Sequence, residues 1–207
     1  MTGRAVAVMA ALLALAARAT AACPPQDLLL QGVRAATRIQ VEQLGPEATR
    51  VATPLAHVPG RTLGYEVQGV FRVSGAIAVA LQRAFGRRDS YVCDPDAPQA
   101  AFQTPGALQI GLLFASRGAV VAAVLHLPEG EVELQLEGGV HTTAALSPLG
   151  QRRWDEALVL LAGQTRTSPA DFYEQMLPPV HVAPARPDSA GTRDSRRTPR
   201  DGPRAPR

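Results

Sequence analysis

The clearest pattern in the chain is a series of three apolar segments joined by short turn sequences. The segments span residues 108–115, 119–127 and 131–137, and the turns between them are 116–118 and 128–130. Each turn ends in glycine, which suits a β-hairpin. The first two segments are apolar on both faces, whereas the third alternates strictly. Its polar members are Glu131, Glu133, Gln135 and Glu137. The pattern predicts a three-stranded antiparallel meander whose last strand has an acidic, solvated outer face.

Two further strands are predicted earlier in the chain. Residues 39–44 form a short apolar segment. Residues 65–73 alternate, and their apolar positions are expected to share one face of a strand. These positions are Tyr65, Val67, Gly69, Phe71 and Val73. Residues 45–64, between the two strands, are rich in glycine, proline and small residues, so a loop containing at most one extended piece is expected there.

Four helices are expected in addition to the strands. They cover 27–36, 75–85, the stretch from Ser147-Pro148 to Gly163, and a last helix that opens at Ser168-Pro169. A serine precedes three of them as an N-cap candidate: Ser74, Ser147 and Ser168. Asp171 completes a capping-box-like pattern in the last helix. The expected fold class is therefore α+β, an antiparallel sheet including the three-stranded meander, with helices packed against it.

The N-terminus has the pattern of a secretory signal. Arg4 precedes an apolar run, and small residues close the segment at 19–22. The run is shorter than the roughly 20 apolar residues that span a bilayer, and no later stretch reaches that length without a charge. We therefore expect residues 1–22 to be a signal peptide and the mature chain to lack a transmembrane segment. The expected location is secreted or periplasmic.

The chain contains two cysteines, and their roles depend on how the signal is processed. Cys23 and Cys93 can form one intramolecular disulfide in an exported protein. Such a bridge closes a loop of about 70 residues and contributes around 4 kcal/mol by the chain-entropy model. Alternatively, Cys23 carries a lipid and anchors the protein to the membrane. Thr20 and Arg18 differ from the usual lipoprotein signal, which favours the disulfide.

Charge divides the mature chain into two parts. Residues 23–180 carry 12 arginines and 15 acidic residues, whereas residues 181–207 carry seven arginines and three aspartates. The first part is expected to be a single α+β domain. The second contains too little apolar surface to fold and is expected to be a disordered tail rich in arginine and proline. The tail could contact an anionic envelope surface. Nucleic-acid binding is not expected, because no aromatic residue lies among the arginines.

Residues 62–162 resemble a loose group of exported bacterial proteins of unknown function. The matching pieces are 64–70 (GYEVQGV), 90–95 (SYVCDP), 107–127 and 146–149 (LSPL). The resemblance implies an envelope or extracellular address and a related fold, and no activity. Members of the group often carry further cysteines in the second hairpin strand, where this chain has 124–127 (VLHL). That difference leaves Cys23 as the partner available to Cys93.

Few residues suggest chemistry. The chain lacks G-x-S-x-G, a Ser-x-x-Lys motif, phosphate-binding glycine loops and the ligand spacing of zinc sites. We therefore expect no catalytic residues, no metal and no cofactor. Three polar residues could converge in the fold: His126, His141 and Asp94. His126 lies at the end of one predicted strand and His141 follows the next turn, so the two histidines could approach each other across the sheet. In Cys93-Asp94-Pro95-Asp96, turn formation explains the aspartates more simply than a calcium site does.

These observations favour a non-enzymatic exported bacterial protein that acts as a binding or structural module. One alternative is an envelope hydrolase whose site forms only in the fold. Another is a domain tethered to an anionic surface by its arginine-rich tail. The ligand and partner are not defined by the sequence.

Overall fold

The computed structural model describes residues 25–93, 97–104 and 106–178. Its helices are α1 (Asp27–Arg34), α2 (Ala76–Phe85), α3 (Pro148–Thr165) and α4 (Pro169–Met176). Its strands are β1 (Arg38–Leu44), β2 (His57–Val58), β3 (Arg61–Thr62), β4 (Tyr65–Val73), β5 (Leu108–Ser116), β6 (Ala119–Leu127), β7 (Glu131–Leu136) and β8 (His141–Ala145). Short 3₁₀ turns occur at Glu47–Thr49 and Arg88–Ser90. The predicted signal, the tail and Asp94 lie outside the described residues.

All eight strands join one curled antiparallel sheet with the order β2-β3-β4-β1-β5-β6-β7-β8. The predicted meander is confirmed as β5, β6 and β7, with Ser116 pairing with Ala119 and His126 with Glu131 across the two turns. The α+β class is confirmed as well, because the four helices pack on the sheet. Strand β8 was not predicted. Its sequence, HTTAA, lacks large apolar residues, and it pairs with residues 131–135 of β7.

The larger core lies between the helices and one face of the sheet, which we call the helix face. Trp154 of α3 is completely buried there, with its ring 5.9 Å from that of Phe85. The indole nitrogen of Trp154 donates a hydrogen bond of 2.9 Å to the hydroxyl of Tyr173. Phe172 and Met176 of α4 are also completely buried. The indole N–H of Trp154 thus has a hydrogen-bond partner within the apolar core between the helices and the sheet.

Helix ends follow the sequence signals in two helices and depart from them in a third. Ser147 caps α3 by accepting from Gly150, and Ser168 forms a complete capping box with Asp171. Helix α3 continues two residues beyond Gly163. The prediction that Ser74 caps α2 is wrong: Gly75 occupies the N-cap position with φ of +59°, and no side chain caps the helix.

A β-bulge makes β4 contribute to both faces of the sheet. Gln43 pairs with Gly69, whereas the next residue, Leu44, pairs with Val67, so one residue of β4 is skipped. An extra residue reverses the alternation of side chains beyond it. Phe71 and Val73 accordingly belong to the helix-face core, and Tyr65 and Val67 belong to a second, smaller cluster. The expectation that all the apolar residues of β4 share one face is wrong.

The second cluster lies on the opposite face of the sheet, beneath residues 45–64. We call this stretch the covering segment. Its buried residues Ala56 and Leu63 pack with Leu113, Ala122 and other apolar residues of the sheet. The amide nitrogen of Gln135 donates a hydrogen bond of 2.7 Å to the carbonyl oxygen of Pro54. We call this face of the sheet the covered face. Of the polar residues predicted to form a solvated outer face on β7, Glu131 and Glu137 are exposed, whereas Glu133 and Gln135 are covered.

Candidate functional site

An ion pair between the covering segment and β7 forms the centre of the candidate site. The guanidinium of Arg50 donates two hydrogen bonds to the carboxylate of Glu133, of 2.9 and 2.6 Å. The Glu133 side chain is only 12% exposed. A bidentate pair of this kind fixes the orientation of both side chains. The expectation that Glu133 is a solvated surface residue is therefore wrong.

Tyr65 supports the Arg50 side chain from below. The guanidinium carbon of Arg50 lies 4.6 Å from the centre of the Tyr65 ring, close enough for a cation–π interaction. The tyrosine hydroxyl donates to Glu47, which also lies 3.5 Å from Arg50. The Nε of Arg50 donates to the carbonyl oxygen of Leu63 at 3.2 Å. Arg50 is thus held by two carboxylates, an aromatic face and a backbone carbonyl.

Two histidines reach the same carboxylate from the sheet. The Nε2 atom of His126 lies 3.2 Å from Oε1 of Glu133, and Nε2 of His141 lies 3.6 Å from Oε2. His126 is largely covered, whereas half of the His141 side chain is exposed. The structure therefore brings together two of the three polar candidates from the sequence, through a residue that the sequence placed on the solvent side. The third candidate, Asp94, lies outside the described residues.

The surroundings of Glu133 keep it ionised. Burial raises the pKa of this carboxyl group, but hydrogen bonds from His126 and Arg50 and the positive charge of Arg50 outweigh burial and lower the pKa to about 2. The hydrogen bond to Glu133 raises the pKa of Arg50 above its usual value. Burial, followed by the hydrogen bond to Glu47, raises the pKa of Tyr65. The centre of the site is consequently a fixed ion pair beside a neutral tyrosine at all ordinary pH values.

A cavity of about 540 Å³ opens beside this cluster, between the covering segment and the β7–β8 hairpin. It is lined by Glu47, Arg50, Ala52, Thr53, Pro54, Leu63, Gln135 and His141. We call it the Arg50 groove. Its volume lies within the range of small-molecule sites in proteins. The lining contains one acidic and one basic side chain, neutral hydrogen-bonding side chains and a few apolar side chains.

A second polar cluster lies nearer the other end of the covering segment. The hydroxyl of Thr62 donates a hydrogen bond of 2.6 Å to Oε2 of Glu42, and both residues are buried. The Nδ1 atom of His57 lies 3.1 Å from the same hydroxyl. Burial raises the pKa of Glu42, while the Thr62 hydrogen bond and the charge of His57 oppose the rise. Neither Glu42 nor His57 was expected to take part in a site.

Sequence reasoning missed Arg50, Glu133 and Tyr65 for different reasons. The hairpin register alone places His126 and Glu133 on the same face, so their proximity could have been inferred. Arg50 lies 83 residues from its partner Glu133 in a segment without periodicity, and no local signal relates the two. Tyr65 reaches the site only because the bulge in β4 changes the face on which it lies.

The disulfide prediction remains a prediction, because Cys23 lies outside the described residues. Within residues 25–93, 97–104 and 106–178 there is no free cysteine. The same ranges contain no group of three or more histidine, cysteine or acidic residues that could hold a metal ion. No helix in the described part of the chain is long and apolar enough to cross a membrane.

Comparison of the chain with protein-family models, curated proteins and solved structures yields no match.

Proposed function

We propose that the chain is an exported bacterial binding module that holds a small polar ligand, without chemical change, in the Arg50 groove. The observation that carries this proposal is the prearranged set of polar groups along the groove wall. Contacts within the protein orient Arg50: those to Glu133, Tyr65 and Leu63. Such preorganisation reduces the entropy lost on binding. Export is supported by the signal pattern of residues 1–22 and by the pair of cysteines.

Binding agrees better than catalysis with the protonation of the site. A general acid or base works best when its pKa lies near the working pH. Glu133 has a pKa of about 2 and already accepts hydrogen bonds from Arg50 and His126. The hydroxyl of Thr53 in the groove lining accepts from the backbone N–H of Leu55 at 3.2 Å. These groups are arranged to present fixed charge and hydrogen bonds.

Filling the groove tests the proposal. Ala52 is exposed and lines the groove, so Ala52→Trp would fill it without breaking the Arg50–Glu133 pair. Ala170→Trp, at an exposed position of α4, is the matched control. A panel of neutral sugars, free amino acids and cell-wall dipeptides would be screened against the intact protein by saturation-transfer NMR. We expect at least one compound to bind the parent and the control and to lose binding to Ala52→Trp. Equal binding to all three proteins, or no binding by any compound, would contradict the proposal.

A hydrolase is the second candidate, and the exposed histidine beside a buried carboxylate favours it. His141 faces the groove, and its Nε2 atom lies 3.6 Å from Glu133, as in a histidine oriented for proton transfer. The test is hydrolysis of p-nitrophenyl acetate by the parent protein and by His141→Ala. A rate above that of free imidazole at equal concentration, lost in the variant, would favour the enzyme. A rate that the variant retains would remove this candidate.

A further inference from the structure

A second cavity on the covered face of the sheet has a different chemistry from the Arg50 groove. It measures about 240 Å³ and is lined by Arg38, Gln40, His57, Leu113, Ala115 and Val120. Its floor consists of the apolar side chains of β5 and β6. Its polar wall comes from β1 and from His57 in the covering segment. We call it the Arg38 pocket.

The guanidinium of Arg38 has an unused charge. Arg38 is exposed, and among the described residues no carboxylate lies within ion-pair distance of it. It also lines a neighbouring cavity of about 290 Å³ together with Arg72. Arg72 pairs with Gln40, two residues from Arg38 on β1. Arg38 and Arg72 therefore lie at the same end of the sheet. The mouth of the pocket is therefore positively charged.

The buried cluster behind the pocket orients the imidazole of His57. If Glu42 is ionised, the hydroxyl of Thr62 donates to it and accepts from Nδ1 of His57. If Glu42 is protonated, it can donate to Thr62, whose hydroxyl then donates to Nδ1. The observed distances, 2.6 Å from Thr62 to Glu42 and 3.1 Å from Thr62 to His57, fit both arrangements. In either case Nδ1 is occupied, and Nε2 is the nitrogen left for a ligand.

We infer that the Arg38 pocket binds a small organic carboxylate with a short apolar body. The guanidinium of Arg38 and the amide of Gln40 match a carboxylate head, since arginine binds carboxylates through two parallel hydrogen bonds. Leu113, Ala115 and Val120 provide the apolar contact for the body. The volume accommodates a body of about the size of a benzene ring. His57 is a positioning and recognition residue at the rim.

The test compares ligands that differ in one property at a time. Sodium benzoate has the head and the body, benzamide keeps the body without the charge, and acetate keeps the charge without the body. Each would be titrated into the intact ¹⁵N-labelled protein at constant ionic strength. We expect benzoate to shift the amide signals of Ala115 and Val120 saturably. Benzamide and acetate should each bind at least about tenfold more weakly, because each lacks one of the two interactions.

Variants then assign the charge. Arg38→Gln should weaken benzoate binding about tenfold or more. Arg152→Gln, at an exposed position of α3 in the helix layer, should leave it unchanged. Folding of both variants would be checked by the fluorescence of buried Trp154. The inference is overturned if benzamide binds as tightly as benzoate, if the two arginine variants behave alike, or if the Ala115 and Val120 signals do not shift.

Discussion

Replacing Glu133 with glutamine should destabilise the protein at neutral pH and have no such effect in strong acid. Glutamine has nearly the same shape but no charge, so Arg50 loses its main partner and His126 loses a carboxylate. The folded state holds the pKa of Glu133 at about 2, against 4.5 for the unperturbed group. Since a shift of one pKa unit corresponds to about 1.4 kcal/mol, ionised Glu133 contributes about 3 kcal/mol to folding.

The sign of the pH dependence follows from the direction of this shift. Because the folded pKa is depressed, the contribution is fully present above about pH 4.5 and is lost as the pH falls towards 2. At pH 7 the Glu133→Gln variant should therefore be less stable than the parent by about 3 kcal/mol. For a domain of this size we expect its melting temperature to fall by about 6–12 °C. Below about pH 2 the two proteins should have similar stabilities.

Urea denaturation followed by Trp154 fluorescence measures this difference. Trp154 is the only tryptophan and is completely buried, so unfolding changes its surroundings strongly. Glu131→Gln is the control, since Glu131 lies on the same strand but is exposed. We expect it to change stability by less than about 0.5 kcal/mol. If Glu133→Gln and Glu131→Gln cost the same at pH 7, the ion pair does not secure the covering segment. A loss for Glu133→Gln that stays constant from pH 7 to pH 2 would refute the assigned pKa.

The remaining predictions concern the covering segment and the two ends of the chain. Gly64→Ala should destabilise the protein by about 2 kcal/mol more than Gly60→Ala in thermal unfolding, because both glycines have positive φ but only a Cβ at Gly64 would collide with the backbone. Equal losses would contradict this. Intact mass spectrometry of the native protein should show cleavage before Cys23 and uptake of two alkyl groups only after reduction, as expected for a Cys23–Cys93 bridge; added lipid mass would establish the anchored form instead. If the tail tethers the domain to an anionic surface, deleting residues 181–207 should abolish salt-sensitive binding to anionic vesicles, and unchanged binding would exclude the tail as a tether.

The sequence predicts those parts of the fold that depend on neighbouring residues. Strands β5 to β7 have apolar runs or strict alternation, and glycine-containing turns set their register. Ser168 and Asp171 form the expected capping box because both partners lie within one helical turn. The N-cap prediction fails at Ser74, because the helix begins one residue later and Gly75 occupies the N-cap position. Prediction from the sequence also fails for β8, since a strand at a sheet edge forms through pairing with its neighbour.

The candidate site depends on contacts between distant parts of the chain, and this is why most of it could not be predicted. Burial of Glu133 requires Arg50 to lie above it, and the position of Arg50 depends on the path of the covering segment. The placement of Tyr65 beneath Arg50 depends on the β-bulge in β4. The apolar and polar residues of β4 alternate regularly through the bulge, so the sequence does not reveal it. The hairpin registers alone place His126, Glu133 and His141 on one face of the sheet, whereas the contact between Glu133 and Arg50 does not follow from them.

The covering segment contributes residues to both proposed binding sites. Arg50 near its start forms a wall of one cavity, and His57 near its end forms part of the rim of the other. Between them the segment has little regular structure, and it is held to the sheet by Ala56, Leu63 and the Arg50–Glu133 pair. A ligand that binds only when the segment is docked also stabilises the docked state. If both proposals hold, each ligand must therefore favour the binding of the other, by the same factor in either direction.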